Sequence, residues 1–295
     1  MVDLIRQLIN GMQIGSVYAL VALGYTMVYG IIMLINFAHG DVIMVGAYVS
    51  LISIPFFISA GLPVWLCIIV SVIACSALGI LMEKIAYKPL RNAPRLCSLI
   101  TAIGMSLFLQ NLFVLIFTPN VRPFPTVFDL EPIVIQGVQI SSITVLTIAV
   151  SVVLMIALSI FIKGTKVGTA MRAVSEDAGA AKLMGINVNV TISITFAIGS
   201  ALAAVGAVFY SSAYPMVEPY MGSMLGLKAF IAAVLGGIGS IPGAMLGGVI
   251  MGVVESLTKA YISSQLADAV VFGILIIVLL VKPSGLFGKN IKEKV

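Results

Sequence analysis

Residues 141–162 read SSITVLTIAVSVVLMIALSIFI and contain no charged side chain. A stretch of about 20 apolar residues lets an α-helix cross the hydrocarbon core of a bilayer. Further apolar segments lie on both sides of it, so we predict an all-α integral membrane protein, a polytopic helical bundle of about 8–10 spans or part-spans. These segments lie near residues 9–34, 42–60, 64–82, 97–117, 190–213, 224–238, 243–258 and 267–281.

The composition argues against an ordinary soluble domain. The chain is 61% hydrophobic and 9% charged, with a mean hydropathy of +1.19, whereas soluble proteins carry roughly 25% charged residues. A soluble fold of this length could not bury so much apolar surface, but lipid can solvate it. We therefore expect residues 1–295 to form one transmembrane domain. The net charge of +5 comes without a long basic face, so nucleic-acid binding is disfavoured.

The basic residues predict which loops face the cytoplasm. Lysines and arginines cluster at 83–96, at 163–189 and from residue 282 onwards, and short basic loops stay on the cytoplasmic side. Residues 118–140 contain four prolines, two acids and a single arginine, so we expect this loop to be external. The chain is thus predicted to be a multi-pass membrane protein with a cytoplasmic C-terminus. The N-terminus stays open: three full crossings before Glu83 put Met1 outside, and one segment that dips in and returns puts it inside.

Two motifs interrupt the apolar runs, NFAHGD at 36–41 and GGIGSIPG at 236–243. Irregular backbone at membrane depth requires protein or a water-filled cavity to satisfy its polar groups, and transporters use such breaks near their substrate sites. The alternative is a tight turn between two helices at the membrane surface. If the breaks line a substrate path, the candidate residues are Asn36, His39, Gly40, Asp41, Gly236, Gly237 and Gly239.

His39 is the single histidine of the chain. A metal site needs several ligands at set spacing, so we predict no metal site and give His39 a structural hydrogen bond. Asp41 is predicted to cap the helix that follows it. We interpret the three cysteines, Cys67, Cys75 and Cys97, as small packing residues, because disulfides are disfavoured in these surroundings.

Few ionisable residues fall in the later spans. Lys228, Glu255 and Asp268 lie near predicted span ends, where long side chains reach the interface, so we interpret them as interfacial anchors rather than as a relay of charge. Lys259 lies four residues after Glu255, a spacing that permits a helical ion pair. No acidic residue lies clearly at a span midpoint, which disfavours coupling to an ion gradient.

The segment at 164–189 is too long for a hairpin and too polar to span. Ser175, Glu176 and Asp177 have the character of a helix start, with a capping hydroxyl and acids at the positive end of the dipole. Gly185 is a natural stop. We predict a short cytoplasmic helix of about two to three turns, either docked in a groove of another protein or lying on the membrane surface.

Four motifs, in order along nearly the whole chain, resemble the LivH-type permeases of ATP-binding-cassette importers for branched-chain amino acids. They are NFAHGD at 36–41 followed by Gly46-Ala47-Tyr48, TAMRAVSED at 169–177 with the downstream Ala181 to Ile186, GGIGSIPGA at 236–244, and KPSGLFG at 282–288. Each motif is moderately specific, and the four together in this order make the resemblance strong.

The resemblance implies a fold similar to that of type II importer permeases and a place in the bacterial inner membrane. It implies a second related permease subunit, two ATPase subunits and a periplasmic substrate-binding protein as partners, with branched-chain or similar amino acids as substrate. No cofactor is expected on this chain, and ATP and Mg²⁺ belong to the partner ATPases. The residues implied to couple to the ATPases are Arg172, Ser175, Glu176, Asp177, Ala178, Gly179, Ala180, Lys182, Leu183, Met184 and Gly185.

The residues alone support part of this interpretation. A phosphate-binding loop needs Gly-x-x-x-x-Gly-Lys followed by Ser or Thr, and no lysine of this chain precedes Ser or Thr. Energy must then come from a partner ATPase or from an ion gradient, which leaves an ion-coupled secondary transporter as the alternative. A membrane enzyme is disfavoured, because the sequence offers no paired carboxylates at a span midpoint and no nucleophile with a base.

Overall fold

The computed structural model describes residues 2–33, 35–91, 93–135 and 138–288, and this part of the chain is dominated by helices. Seven of the described helices are long and apolar enough to cross a membrane, and Met221–Gly236 and Ala267–Val281 form two shorter apolar ones. The predicted polytopic bundle is therefore confirmed. The helices are α1 (Val2–Ile32), α2 (His39–Ser59), α3 (Cys67–Met82), α4 (Arg95–Phe117), α5 (Ser142–Gly164), α6 (Lys166–Glu176), α7 (Ala178–Leu183), α8 (Val188–Ala213), α9 (Met221–Gly236), α10 (Ile241–Tyr261) and α11 (Ala267–Val281).

The segments rich in lysine and arginine gather at one end of the bundle, which we call the basic end. Arg91, after α3, donates a hydrogen bond from Nη1 to Oδ1 of Asn189 at the start of α8, 2.6 Å away. Residues 282–288, after α11, return to the turn between α9 and α10, where the Leu286 amide donates to the Leu235 carbonyl at 2.8 Å. The predicted clustering of these segments on one side is thus confirmed.

Short antiparallel strands lie at the end of the bundle opposite the basic end. Strand β1 (Arg122–Pro123) pairs with β4 (Met216–Val217), and β2 (Ile133–Ile135) pairs with β3 (Val138–Ile140). The predicted external loop therefore carries a small hairpin, and its β1 is fastened to the segment after α8.

The helix directions favour one of the two topologies left open by the sequence. The last turn of α1 lies beside the α9–α10 turn, since a Cβ on Gly30 would be 3.6 Å from Cα of Gly239. Helix α1 thus runs towards the basic end, α2 runs away from it, and α3 returns to it; each belongs to a segment long enough to span. This arrangement fits three crossings by the segments Asp3–Ile32, His39–Ser59 and Val64–Leu90, with α1 beginning at the end opposite the basic one.

Helices α1 and α10 pack antiparallel with almost no side chain between them. A Cβ on Gly15 would lie 2.7 Å from Cα of Val249, and one on Gly248 would lie 2.6 Å from Cα of Ala19. Both distances are below any that real Cβ atoms tolerate. Small residues let membrane helices approach closely, where dispersion rather than hydrophobic burial holds them together. The small-residue spacing predicted to serve packing does so at this interface.

Helix α8 fills the centre of the bundle between α1, α2 and α3. Beside α8, polar side chains form hydrogen bonds to the backbone of neighbouring helices. For example, Ser71 Oγ on α3 donates to the Gly46 carbonyl on α2 at 2.9 Å. Cys67 and Cys75 are buried and unpaired, and Cys97 is partly buried. The packing interpretation of Cys67 and Cys75 is confirmed.

Replacing Gly15 by valine should destabilise the bundle by about 1–3 kcal/mol or more, because the new side chain meets the α10 backbone, which cannot move aside. The measurement is the thermal unfolding midpoint and the monodisperse yield of the purified chain in mild detergent. Gly273→Val is the matched control, because a Cβ there meets nothing within 4 Å. Equal stability of the two variants would contradict the α1–α10 contact.

Candidate functional site

The segment between α5 and α8 folds into two short helices with side-chain caps. Thr165 starts α6, where its hydroxyl accepts a hydrogen bond from the Gly168 amide at 3.0 Å. Asp177 starts α7, where Oδ1 accepts from the Ala180 amide at 2.9 Å. Gly185, with φ of +84°, follows the end of α7 and confirms the predicted stop, since glycine adopts this conformation without strain.

The predicted helix start was misplaced. Ser175 and Glu176 form the last turn of α6, and the Ser175 hydroxyl donates back to the Arg172 carbonyl at 2.7 Å. Only Asp177 acts as a cap, because it has the extended backbone that a cap requires. As a result α7 has six residues, shorter than the two to three turns predicted.

Two strongly exposed apolar side chains lie at the end of α7. Leu183 is 90% exposed and Met184 is 83% exposed, whereas Ala181 is buried against the protein. Helix α6 is anchored below it by Met171 and Val174, both buried. The remaining predicted coupling residues at the surface are Arg172, Glu176, Asp177, Ala178, Gly179, Ala180, Lys182 and Gly185.

The first break joins α1 to α2 and is buried in the bundle. Asn36 Oδ1 accepts a hydrogen bond from the Tyr87 hydroxyl at 2.7 Å. The His39 ring meets Tyr25 edge to face, with centroids 4.7 Å apart. It also contacts the Val21 backbone, in line with a structural role, but its Nε2 has no hydrogen-bond partner in the described part of the chain. At Gly40 the backbone touches α9, since a Cβ would lie 2.8 Å from Cα of Gly226.

Asp41 does not cap α2. The helix already begins at His39, the N-cap Ala38 has helical dihedrals, and Asp41 lies in the first turn. Its Oδ1 instead accepts from Nε2 of Gln110 on α4, 2.9 Å away, while that nitrogen also lies 2.8 Å from Ser223 Oγ. The carboxylate, which is 1% exposed, is therefore held by a neutral amide.

Sequence reasoning missed Gln110 and Tyr87, which complete the first break. The available signal was weak, because Gln110 and Asn111 are neighbouring amides in a largely apolar span, and the sequence does not show which of the two faces the bundle interior. The Gln110 amide carries two N–H groups but lies within hydrogen-bonding distance of three oxygens, the third being Ser106 Oγ at 3.1 Å. It can therefore serve two of them at a time.

The second break is a turn at the basic end. Gly236 ends α9, Gly237 and Gly239 have φ of +99° and +93°, and the Ser240 hydroxyl caps α10. Residues 282–288 cover Gly236 and Gly237, with the Phe287 amide donating to the Gly236 carbonyl at 3.0 Å. Of the two interpretations left open, the tight turn describes this motif.

The two breaks nevertheless approach one another. Ile35, just before the first break, and Ile238 from the second line a small gap of about 10 Å³ with Tyr25 and Phe230. Phe230 also packs on Phe37, with centroids 5.9 Å apart. The predicted path residues thus fall into two adjacent groups rather than one shared chamber.

Lys228 and Glu255 are buried rather than interfacial, which corrects the anchoring interpretation. Lys228 Nζ lies 2.8 Å from Glu255 Oε1 and 2.7 Å from Asp268 Oδ1. The predicted helical pair between Lys259 and Glu255 is present at 2.6 Å, and the Tyr18 hydroxyl donates to Glu255 Oε2 at 2.7 Å. Two acids and two bases therefore tie α1, α9, α10 and α11 together without leaving a net charge.

Comparisons with known proteins match this chain to one family of membrane permeases over nearly its whole length. Residues 7–280 match the family described as branched-chain amino acid transport system, permease component. The high-affinity branched-chain amino acid transport system permease protein LivH of Salmonella typhimurium is 48% identical over 300 residues, covering 99% of this chain and 97% of its own length. The corresponding protein BraD of Pseudomonas aeruginosa is 46% identical over 194 residues, 63% of each chain.

One solved structure is similar to this chain, more weakly than the sequence relatives above. A chain of PsaBC from Streptococcus pneumoniae in complex with Fab aligns over 94% of this chain and 92% of its own length, with 14% identity and a TM-score of 0.47.

Replacing Gln110 by leucine should cost about 1–3 kcal/mol of stability, because the buried Asp41 carboxylate loses the amide that holds it. The measurement is the unfolding midpoint in mild detergent. Asn111→Leu is the control on the same helix, since Asn111 is exposed and bonds only its own helix, at the Leu107 carbonyl. A loss no larger than that of the control would show that Gln110 does not stabilise Asp41.

Proposed function

Because the chain belongs to the family of branched-chain amino acid transport system permease components, we propose that it forms the membrane path for branched-chain or similar amino acids in an ATP-binding-cassette importer. The family is one of transport permeases, and seven of the described helices are long and apolar enough to cross a membrane, so we expect the chain to carry solute and not to catalyse a reaction itself. Its partners would be a second related permease subunit, two ATPase subunits that hold ATP and Mg²⁺, and a periplasmic substrate-binding protein.

The observation that carries the ATPase part of the proposal is the exposed tip of α7. Leu183 and Met184 project from a basic segment between two spans, with the charged residues Lys182 and Asp177 beside them. A six-residue helix is unstable alone in water, and two adjacent exposed apolar side chains rimmed by polar residues favour an interaction site there. We infer that α7 inserts into a groove of the ATPase, which supplies the hydrolysis for which this chain has no phosphate-binding loop.

The orientation and location follow from charge. The basic end would face the cytoplasm of a bacterial inner membrane, because short loops rich in lysine and arginine remain on that side. The C-terminal segment from Lys282 would then be cytoplasmic, and the β1–β4 end would meet the binding protein.

We propose that the substrate path runs beside the first break. Asn36, His39, Gly40 and Asp41 bring buried polar groups to the centre of an apolar bundle, and irregular backbone of this kind borders binding sites in transporters. Gly236 and Gly237 are covered by residues 282–288, so of the second break only the exposed Gly239 remains available to a passing solute.

Replacing Leu183 by aspartate should abolish transport-coupled ATP hydrolysis while leaving the fold intact, because the side chain is 90% exposed in this chain and would be desolvated only in the partner's groove. The measurement is ATPase activity with and without loaded binding protein, together with uptake, in proteoliposomes of the whole complex. Gly179→Trp should act alike, since a Cβ there meets only the Asp177 side chain at 3.2 Å.

Lys166→Glu is the control for that experiment. Lys166 is exposed at the start of α6, where an acid complements the helix dipole, so uptake should be retained. Wild-type uptake and stimulated ATPase activity in Leu183→Asp would refute the coupling role of α7.

Purifying the tagged chain from native membranes in mild detergent should recover ATPases that carry the Gly-x-x-x-x-Gly-Lys-Ser/Thr motif in an amount comparable to the chain. Mass spectrometry identifies the co-purifying proteins. Recovery of an intact chain by itself, with vesicles that transport in the absence of ATP and stop when an uncoupler is added, would instead establish the ion-coupled alternative.

A further inference from the structure

A cavity of about 110 Å³ opens at the basic end between α1, α6 and the start of α10. Its walls are mostly apolar, from Met27, Ile31, Ile162 and Met171, with Gly30 leaving room at one side. A cavity of 150 Å³ lined by such residues accommodates a benzene molecule. The space therefore suits an aliphatic side chain of about four carbons.

One cation borders this cavity. Arg172 lines it and is exposed. Its Nη2 makes two long contacts, at 3.4 Å to the Lys163 carbonyl and 3.2 Å to the Thr169 hydroxyl, and it forms no ion pair within the described ranges. A guanidinium has five N–H donors in a planar fork that matches a carboxylate, so Arg172 has donors to spare for an anion.

A buried hydroxyl also points to a ligand. Thr26 lines the cavity and is 2% exposed, yet its Oγ1 has no hydrogen-bond partner in the part of the chain that the structure describes. Threonine in a helix commonly bonds a carbonyl of the preceding turn, as Thr195 and Thr258 do here at 2.8 Å. A buried hydroxyl left unpaired costs free energy, which a polar group in the cavity would recover.

The helix that carries Thr26 ends at the same cavity. Gly30 and Ile31 belong to the last turn of α1, where the macrodipole places partial negative charge. The cavity thus offers a cation on one wall, a helix C-terminus on another, and aliphatic side chains between them. A molecule with a carboxylate, an ammonium group and an aliphatic side chain meets all three.

We propose that this cavity binds a free aliphatic α-amino acid on the basic side of the bundle, as the site from which the transported solute is released. The carboxylate binds Arg172, Thr26 donates its hydroxyl hydrogen to the same group, the ammonium lies at the end of α1, and the side chain packs on Met27 and Ile162. The proposal rests on the proposed function for its substrate class, and it adds a site that this function does not require.

The test is equilibrium binding of radiolabelled leucine to the whole complex in lipid nanodiscs, without nucleotide and without the binding protein. We expect saturable binding to wild type, its loss in Gly30→Leu, which fills the cavity, and a roughly fivefold to tenfold weaker affinity in Thr26→Val. The controls are Gly104→Leu, at a position where a Cβ meets nothing within 4 Å, and Thr258→Val, whose hydroxyl bonds its own helix. Both should bind as wild type does.

Wild-type affinity in Gly30→Leu would overturn the proposal, because leucine would then bind elsewhere in the complex. An absence of saturable binding to a wild-type complex that still imports leucine with ATP and the binding protein would overturn this site and leave the proposed function intact. A wild-type complex that neither imports nor binds leucine would overturn both.

Discussion

The direct backbone contact between α1 and α10 determines the arrangement of the rest of the molecule. In lipid there is no hydrophobic force to drive helices together, so their association depends on close packing. Gly15 and Gly248 permit that packing, and it brings the last turn of α1 against the α9–α10 turn. Helix α6, the first break and the segment after α11 all pack against the frame formed by α1, α10 and the α9–α10 turn. The α7 surface and the cavity beside Thr26 therefore both depend on the close backbone contact between α1 and α10.

The buried charges within this frame have partners nearby, whereas the Thr26 hydroxyl and His39 Nε2 have none among the described residues. The Lys228 network balances its charges over four helices, and Asp41 is held by Gln110. The interpretation of Lys228 and Glu255 as interfacial anchors was wrong, because it considered only how far each residue lies from the end of its own helix. Lys228 lies eight residues before the end of α9, a helix of only 16 residues, and the longer α10 beside it covers the position. The sequence shows where a residue lies along its own helix, but it does not show which residues of neighbouring helices face it.

The spans themselves were predictable, because an apolar run of sufficient length has few alternatives once its solvent is lipid. The short helices were harder. Ser175 and Asp177 are both good caps, and the choice between them depends on Thr165, which starts α6 one residue after α5 ends and lets it run to Glu176. The second break was likewise ambiguous, since glycines with positive φ serve a tight turn and a substrate path equally well. Contacts made by residues 282–288 decided it, and those contacts join positions about fifty residues apart.

The same packing explains how a movement at α7 would reach the membrane. Only Asp177 separates α7 from α6, and α6 is held through buried Met171, whose side chain lines the cavity beside α1. Protein interiors resist compression, so a partner that displaces Leu183 would shift α6 and with it the wall formed by Met171 and Arg172. The opposite wall belongs to α1 and α10, whose backbones are in direct contact, so we expect it to move less than α6. A displacement at the docking surface would therefore change the width of the cavity, as the release site proposed above requires.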